Sequence, residues 1–159
     1  CQTDIALTAH GPLLAYRDRT PEEIRDIAVT RMQGPTWTTP RLVHADNWTM
    51  PACPVNGPAV AARGSDVLVG WYTEAHDMAA LKLARSHDDG DHFAAPVTVD
   101  HSEAVQGRVD VAFDADAAWV TWLREDADGQ SLQLARYSLD LSRQLQRIEV
   151  AKLQGRGRS

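Results

Sequence analysis

Short stretches in which apolar and polar residues alternate follow one another along the whole chain. They are rich in Val, Leu, Ile and Trp and are separated by clusters of Gly, Pro and Asp, whereas a helical spacing of apolar residues is nearly absent. Alternation with a period of two is typical of strands, and Gly, Pro and Asp are residues that form turns. The pattern therefore predicts an all-β protein.

The strand-like stretches form an internal repeat of roughly 50 residues. Its most regular part is an alternating apolar pair followed by an arginine, which occurs at 27–31, 81–85 and 132–136. An aromatic residue recurs in the preceding strand, at Tyr16, Trp71 and Trp122. Apolar pairs before and after these stretches bring each unit to four strands.

A four-stranded antiparallel unit of about 50 residues matches one blade of a β-propeller, in which each sheet buries its faces against its neighbours. The units extend over approximately residues 1–52, 53–104 and 105–153, and 154–159 form a tail. Because propellers have about four to eight blades, residues 1–159 are predicted to be a partial ring, of about six blades when complete. Further blades or a second copy would close it. A β-sandwich is the alternative architecture.

The turn between the third and fourth strands of the second unit carries a motif. Residues 86–93 read Ser-His-Asp-Asp-Gly-Asp-His-Phe and resemble the Asp box, or BNR repeat, of bacterial sialidases and related propellers, Ser-x-Asp-x-Gly-x-Thr-Trp. The Asp can accept turn amides, the Gly can adopt a positive φ, and the aromatic residue can pack beneath the hairpin. The predicted structural residues are Ser86, Asp88, Gly90 and Phe93.

The other two units carry weaker versions of the motif. Residues 30–37 read Thr-Arg-Met-Gln-Gly-Pro-Thr-Trp, with Met in the place of the Asp, and the third unit keeps only a Ser-Leu-Asp remnant at 138–140. One good copy and one degenerate copy make the chain similar to the sialidase-like (neuraminidase) superfamily. The motif implies a fold rather than an activity, because Asp boxes also occur in propellers without catalysis.

The resemblance implies a position for an acid/base residue. The stretch 13–19 resembles the first blade of bacterial sialidases, and Asp18 then corresponds to the proton donor of the family, with Glu22 and Glu23 as rival acids in the same loop. The family's Tyr nucleophile and its supporting Glu lie in later blades. The Arg-Ile-Pro element that begins this blade in sialidases is replaced here by Cys-Gln-Thr-Asp at 1–4.

A substrate-binding rim is expected where first strands begin and second strands end, because in antiparallel sheets these points lie at the same edge. Its polar residues include Tyr72 and Glu74. Arginine binds carboxylates through two parallel hydrogen bonds, so an acidic glycan is the expected ligand, with surface ion pairing as the alternative. The predicted substrate-binding residues are Arg17, Arg19, Arg25, Asn56, Arg108 and Asp110.

Composition excludes several partners. With 16 Lys and Arg against 22 Asp and Glu, the net charge is −6 and no basic stripe for nucleic acid is present. No apolar run approaches the roughly 20 residues that span a bilayer. The histidines are dispersed and the two cysteines lack C-x-x-C spacing, so neither a metal nor a cofactor is predicted.

Features at the beginning of the first two units leave alternatives open. Cys1 is expected to mark a fragment, or else a processed, lipid-bearing terminus, and it can approach Cys53 as a disulfide, a metal pair or two small buried residues. Trp48 lies outside the repeat and is a candidate for stacking on a sugar.

Two functions follow from the resemblance. The first is an Asp-box propeller, exported to the periplasm or cell envelope, that binds a glycan or an envelope protein without a complete catalytic set. The alternative is an exo-sialidase-like glycoside hydrolase whose acid/base residue and part of whose Arg cluster lie in this chain. Hydrolysis of a glycoside would indicate the second function, and binding without turnover would indicate the first.

Overall fold

The computed structural model describes residues 2–153. Cys1 and the predicted tail, 154–159, lie outside the described residues, and so do the predictions about the terminus and about a contact between Cys1 and Cys53. Cys53 itself is exposed, with a free thiol. The described strands form three antiparallel sheets, each made of consecutive strands, which confirms the all-β prediction.

Each sheet occupies one stretch of the chain. The first contains β1 (Asp4–Thr8), β2 (Gly11–Arg17), β3 (Ile27–Gln33), β4 (Thr36–Trp37) and β5 (Arg41–Leu42). The second contains β6 (Ala59–Arg63), β7 (Asp66–Thr73), β8 (Ala80–Ser86) and β9 (Val97–His101). The third contains β10 (Val105–Phe113), β11 (Ala117–Asp126), β12 (Gly129–Ser138) and β13 (Gln144–Leu153). In the first sheet β4 and β5 both pair with β3, so that two short segments share the fourth position.

The second sheet is covered on both faces. Val67, Val69 and Trp71 of β7 belong to an apolar cluster shared with the first sheet. Leu68 and Tyr72 of the same strand belong to a cluster shared with the third sheet. Burying one large apolar side chain contributes roughly 1.5–3 kcal/mol, so these clusters hold the three sheets in a stack that follows chain order. Across residues 2–153 the stack is an open array of three sheets, not a two-sheet sandwich.

The first strands of the sheets lie side by side, with β6 between β1 and β10. Polar side chains join them. Asp4 Oδ2 accepts a hydrogen bond from the Val60 amide at 2.8 Å, and Asn56 Nδ2 donates to the Gln106 carbonyl at 3.0 Å. Because these bonds connect neighbouring sheets near the beginnings of their strands, they fix the edge at which the sheets' loops meet.

The Asp-box-like motif of the second unit folds as a turn held by its own side chains. The Ser86 hydroxyl donates to Asp88 Oδ1 at 2.7 Å and accepts the Gly90 amide at 3.0 Å, while Asp88 Oδ1 also accepts the His92 amide at 2.9 Å. Gly90 has a φ of +85°. Phe93 packs against the cluster between the first and second sheets. The motif thus closes the turn and anchors it to the core.

The weaker copies differ from it. In the third unit the Ser138 hydroxyl donates to Asp140 Oδ1 at 2.6 Å, so the remnant keeps the local Ser–Asp bond. In the first unit, Met32 has no carboxylate to bind turn amides, and the chain instead forms a tight hairpin in which Met32 pairs with Trp37. Trp37 is 47% exposed and does not pack beneath the turn.

Within residues 2–153 no helix is long and apolar enough to cross a membrane. The helical element in this described part of the chain is a 3₁₀ turn at Ala75–Asp77.

Candidate functional site

A cleft opens at the rim where the loops of the three units meet, and we call it the rim cleft. It is formed by the 47–50 loop after the first sheet, the end of β7 with the following 3₁₀ turn, and the beginning of β10. Its volume is about 740 Å³. The lining residues are Asn47, Trp48, Thr49, Met50, Tyr72, Glu74, Ala75, His76, Asp77, Ala79, Glu103, Val105 and Gln106.

Buried side chains of the first unit fix the 47–50 loop. Asp26 accepts the Asn47 amide at 3.0 Å and the Trp48 amide at 3.3 Å. Burial raises the pKa of Asp26, and these two amide hydrogen bonds act against the rise. Arg25 Nε donates to the Met50 carbonyl at 3.0 Å. Asp26 and Arg25, which do not line the cleft, therefore hold this wall of it in position.

The central polar pair of the cleft is Tyr72 and Glu74. The Tyr72 hydroxyl donates to Glu74 Oε1 at 2.5 Å, and its ring meets Trp48 edge-on with 6.0 Å between centroids. Burial, followed by the hydrogen bond to Glu74, raises the pKa of Tyr72 above its ordinary value. At neutral pH the phenol therefore keeps its proton, and its oxygen can accept a hydrogen bond from a ligand.

The charge of the rim cleft is negative. Glu74, Asp77 and Glu103 line it, whereas no Lys or Arg is among its described lining residues. A carboxylate-bearing ligand would meet like charges there, while sugar hydroxyl or amino groups would find acceptors. His76 and Asp77 have φ values of +66° and +62°, a left-handed conformation that costs non-glycine residues roughly 1–2 kcal/mol each.

Arg17, predicted to bind substrate, is buried behind the cleft and is bonded to backbone carbonyls. Its guanidinium donates to Arg25 O at 2.6 Å, to Tyr72 O at 2.6 Å and to Asn56 O at 3.1 Å. It also lies over the Trp48 ring, 4.9 Å from the centroid. Burial lowers the pKa of Arg17 to about 10. Through these bonds the residue joins three segments around the cleft.

Arg19 and Arg25 converge on one carboxylate of this chain. Arg19 Nη2 donates to Glu23 Oε1 at 2.5 Å, and Arg25 Nη2 donates to Glu23 Oε2 at 2.7 Å. The hydrogen bond from Arg19 is the main cause of a lowered pKa of Glu23. The structure thus brings these two arginines together on one carboxylate of the same loop.

The remaining predicted binding residues lie between the second and third units. Besides its bond to Gln106, Asn56 accepts the Arg108 amide through Oδ1 at 3.2 Å. The side chain of Arg108 is exposed, and Asp110 is exposed with Oδ1 accepting the Val111 amide at 2.8 Å. Asn56 therefore connects two units, whereas Arg108 and Asp110 are accessible to solvent.

Asp18, the predicted acid/base residue, lines a second and smaller cavity of about 160 Å³ together with Asp26, Arg41 and Leu42. This cavity shares no lining residue with the rim cleft. Asp18 and the pair Tyr72–Glu74 therefore face different spaces. In residues 2–153, no group of three or more His, Cys, Asp or Glu side chains is arranged to hold a metal ion.

Sequence reasoning named Tyr72 and Glu74 as rim residues but missed the contribution of Asn47, Asp77 and Glu103. These lie in loops outside the repeat pattern, and their only sequence signal is that they are polar residues close to strand ends. Trp48 does line the cleft, but it is 6% exposed and packs internally.

Comparison with protein-family models gives no match for this chain, and comparison with curated proteins gives none either.

Proposed function

We propose that this chain is part of a sialidase-like, Asp-box β-propeller of the cell envelope, and that its rim cleft binds a glycan without hydrolysing it. Two features support the propeller assignment: consecutive four-stranded sheets stack face to face with their first strands adjacent, and the Ser86–Asp88 turn has the hydrogen bonds expected of an Asp box.

The observation that carries the binding function is the Tyr72–Glu74 pair in a cleft contributed by three units. The phenol oxygen, the free carboxylate oxygens and the side-chain amides of Asn47 and Gln106 provide acceptors and donors at several angles. Pockets lined by a few such oriented polar groups are suited to ligands with many hydroxyl groups. Because the lining is acidic, the ligand is a neutral or amino-bearing glycan rather than an acidic one.

Burial and the hydrogen bond to Glu74 keep the Tyr72 phenol in its neutral form. A tyrosine that attacks a sugar needs a base that makes its oxygen more nucleophilic, which requires a lowered pKa or proton transfer to the base. Here burial and the bond to Glu74 raise the pKa of Tyr72, so the neutral phenol is stabilised. The pair is consequently suited to hydrogen bonding with a ligand.

The test is a glycan array followed by titration calorimetry with the glycans that bind. We expect saturable binding of neutral or amino-bearing oligosaccharides, weakened about 3- to 10-fold by Tyr72→Phe and by Glu74→Gln, since each removes one hydrogen bond. Arg143→Ala, which alters an exposed residue that does not line the cleft, is the matched control and should bind as the unsubstituted chain does. An array without any binding, or binding that neither cleft variant changes, would contradict the proposal.

A glycoside hydrolase is the second candidate, because a tyrosine bonded to a glutamate is also the pair that sialidase-like enzymes use. This candidate predicts release of the aglycone from aryl sialosides or other aryl glycosides. It further predicts that Tyr72→Phe and Glu74→Gln each abolish the turnover. Intact substrates after prolonged incubation with the chain would exclude hydrolysis by it.

A further inference from the structure

An arginine at the same position of the third strand ties each sheet to the one that follows. Arg31 Nη2 donates to Asp91 Oδ2 at 3.2 Å, and Arg85 Nη1 donates to the Leu139 carbonyl. Both acceptors lie in the turn between the third and fourth strands of the next sheet. The same contact therefore joins the first sheet to the second and the second to the third.

Arg136 occupies this position in the third sheet, where it pairs opposite Trp119 on the outer face. Its guanidinium lies over the Trp119 ring, 5.6 Å from the centroid. Its Nε is buried without a hydrogen bond, as are those of Arg31 and Arg85. No ion pair or side-chain hydrogen bond joins the Arg136 guanidinium to any of residues 2–153. Arg31 and Arg85 thus bind the sheet that follows, whereas the equivalent guanidinium of Arg136 lies on the outer face of the last sheet.

The outer face of the third sheet also carries several apolar residues. Leu132 pairs opposite Leu123, and Leu134 pairs opposite Ile148, which is 41% exposed. In the second sheet, both leucines of the equivalent stretch 81–83 are fully buried beneath the third sheet. The outer face therefore has the composition of a surface that another sheet covers.

The opposite end of the stack has a matching surface. Ile5 and Leu7 of β1 are 55% and 74% exposed on the outer face of the first sheet. Ile5 pairs opposite Leu14 just as Val60 pairs opposite Val69 in the second sheet, and Val60 is buried against the preceding sheet. The first sheet therefore presents the face that, in the other two sheets, packs on a predecessor.

We propose that the outer face of the third sheet binds the outer face of the first sheet of a second copy of this chain. The contact repeats the two sheet-to-sheet interfaces within the chain. Leu132 and Leu134 cover Ile5 and Leu7 of the partner, and Arg136 donates to the partner's turn at 33–36. Such a head-to-tail contact closes into a ring when its rotation allows, and two copies supply six sheets, a number found in closed propellers.

The experiment is light scattering on the chain and on three variants over a concentration series. We expect a mass near twice 17.5 kDa for the unsubstituted chain. Arg136→Glu in the third sheet and Leu7→Glu in the first should each raise the dissociation constant about 30-fold or more, because each places an unpaired charge in the interface. Val55→Glu, which alters another exposed apolar residue that lies in a loop, should leave the constant unchanged.

Mixing the two interface variants separates a lost interface from a lost fold. Arg136→Glu still has its first-sheet face and Leu7→Glu still has its third-sheet face, so the mixture can form one intact contact and should give a 1:1 dimer that neither variant forms alone. Circular dichroism should show both variants folded. A monomer at every concentration, a dimer that neither variant weakens, or a mixture without a mixed dimer would each overturn the proposal.

Discussion

The indole nitrogen of Trp122 donates a hydrogen bond to Asp100 Oδ2 at 2.9 Å, across the boundary between the third and second sheets. The equivalent bond, from Trp71 Nε1 to Asp46 Oδ2 at 2.6 Å, crosses the boundary between the second and first. A buried carboxylate at the end of one unit thus holds the recurrent tryptophan of the next in place. The tryptophan therefore packs its ring in the apolar core and also joins two sheets through its indole N–H.

Asp100→Asn should lower the free energy of unfolding by about 2–4 kcal/mol. This range is smaller than that for a fully buried ion pair because the arginine partners of Asp100 are partly exposed. Asp100 also accepts hydrogen bonds from Arg124 at 2.6 Å and Arg147 at 2.9 Å, and both guanidinium groups would lose their charge partner. Urea denaturation measures the change. Glu149→Gln, an exposed carboxylate on β13, is the control and should change stability by less than about 0.5 kcal/mol. Equal effects of the two substitutions would contradict this role of Asp100.

Ser86→Ala should destabilise the chain by about 1–3 kcal/mol, because it leaves the buried Gly90 amide without an acceptor and removes a donor to Asp88. Ser138→Ala, in the exposed turn of the third unit, is the matched control and should cost about 1 kcal/mol or less. Thermal and urea unfolding of both variants measure the difference. A larger loss from Ser138→Ala would show that the complete motif is no stronger than its remnant.

The same turn predicts a dependence on acid. Burial opposes the shift, but hydrogen bonds from His92 and Ser86 lower the pKa of Asp88 to about 2. Because the folded pKa lies below the ordinary value of about 3.9, the stabilisation by Asp88 is complete above that value and is lost as the pH falls through about 2. We expect the thermal midpoint of Asp88→Asn to lie below that of the unsubstituted chain at pH 6, and the two to converge near pH 2. A constant difference across this range would contradict the prediction.

Gly90→Ala should destabilise more than Gly64→Ala, although both glycines have positive φ. A Cβ at Gly90 would lie 2.6 Å from Leu13 Cδ1, whereas a Cβ at Gly64 would have nothing within 4 Å. Gly64→Ala therefore reports the backbone strain alone, about 1–2 kcal/mol, and Gly90→Ala adds overpacking of about 1–3 kcal/mol. Chemical denaturation of the pair measures the difference. Equal losses of stability in the two variants would contradict the prediction, because they would mean that the Leu13 side chain moves away from the added methyl group at little cost.

Arg17→Lys should reduce stability by about 2–4 kcal/mol, since an ammonium group cannot reach the three backbone carbonyls that the guanidinium binds. Arg108→Lys, which changes an exposed side chain, should leave stability within about 0.5 kcal/mol. If Arg17 instead served chiefly to bind a ligand, its substitution would leave unfolding unchanged and alter only affinity. Urea denaturation without any ligand distinguishes these outcomes.

Residue type predicts that an arginine will bind an acceptor, but it does not predict which acceptor. The sequence predicts that arginines and carboxylates meet at the rim, and in the structure Arg19 and Arg25 both bind Glu23. An arginine has the same donors whether its acceptor is a ligand, a side chain or a backbone carbonyl, so composition cannot distinguish them. Partner choice depends on which segments meet in three dimensions.

The sequence by itself determined the features that arise from local geometry. Alternation with a period of two specifies strands, and the repeat specifies units of four strands. Residues 86–93 specify their own turn because the hydrogen bonds among these residues span at most four positions. Only the tertiary structure decided that Arg17 would bind the carbonyls of Asn56 and Tyr72, 39 and 55 residues away, and that loops of three units would enclose one cleft. Such contacts depend on how the sheets stack and where their loops then lie, and the spacing of residues within a strand does not contain that information.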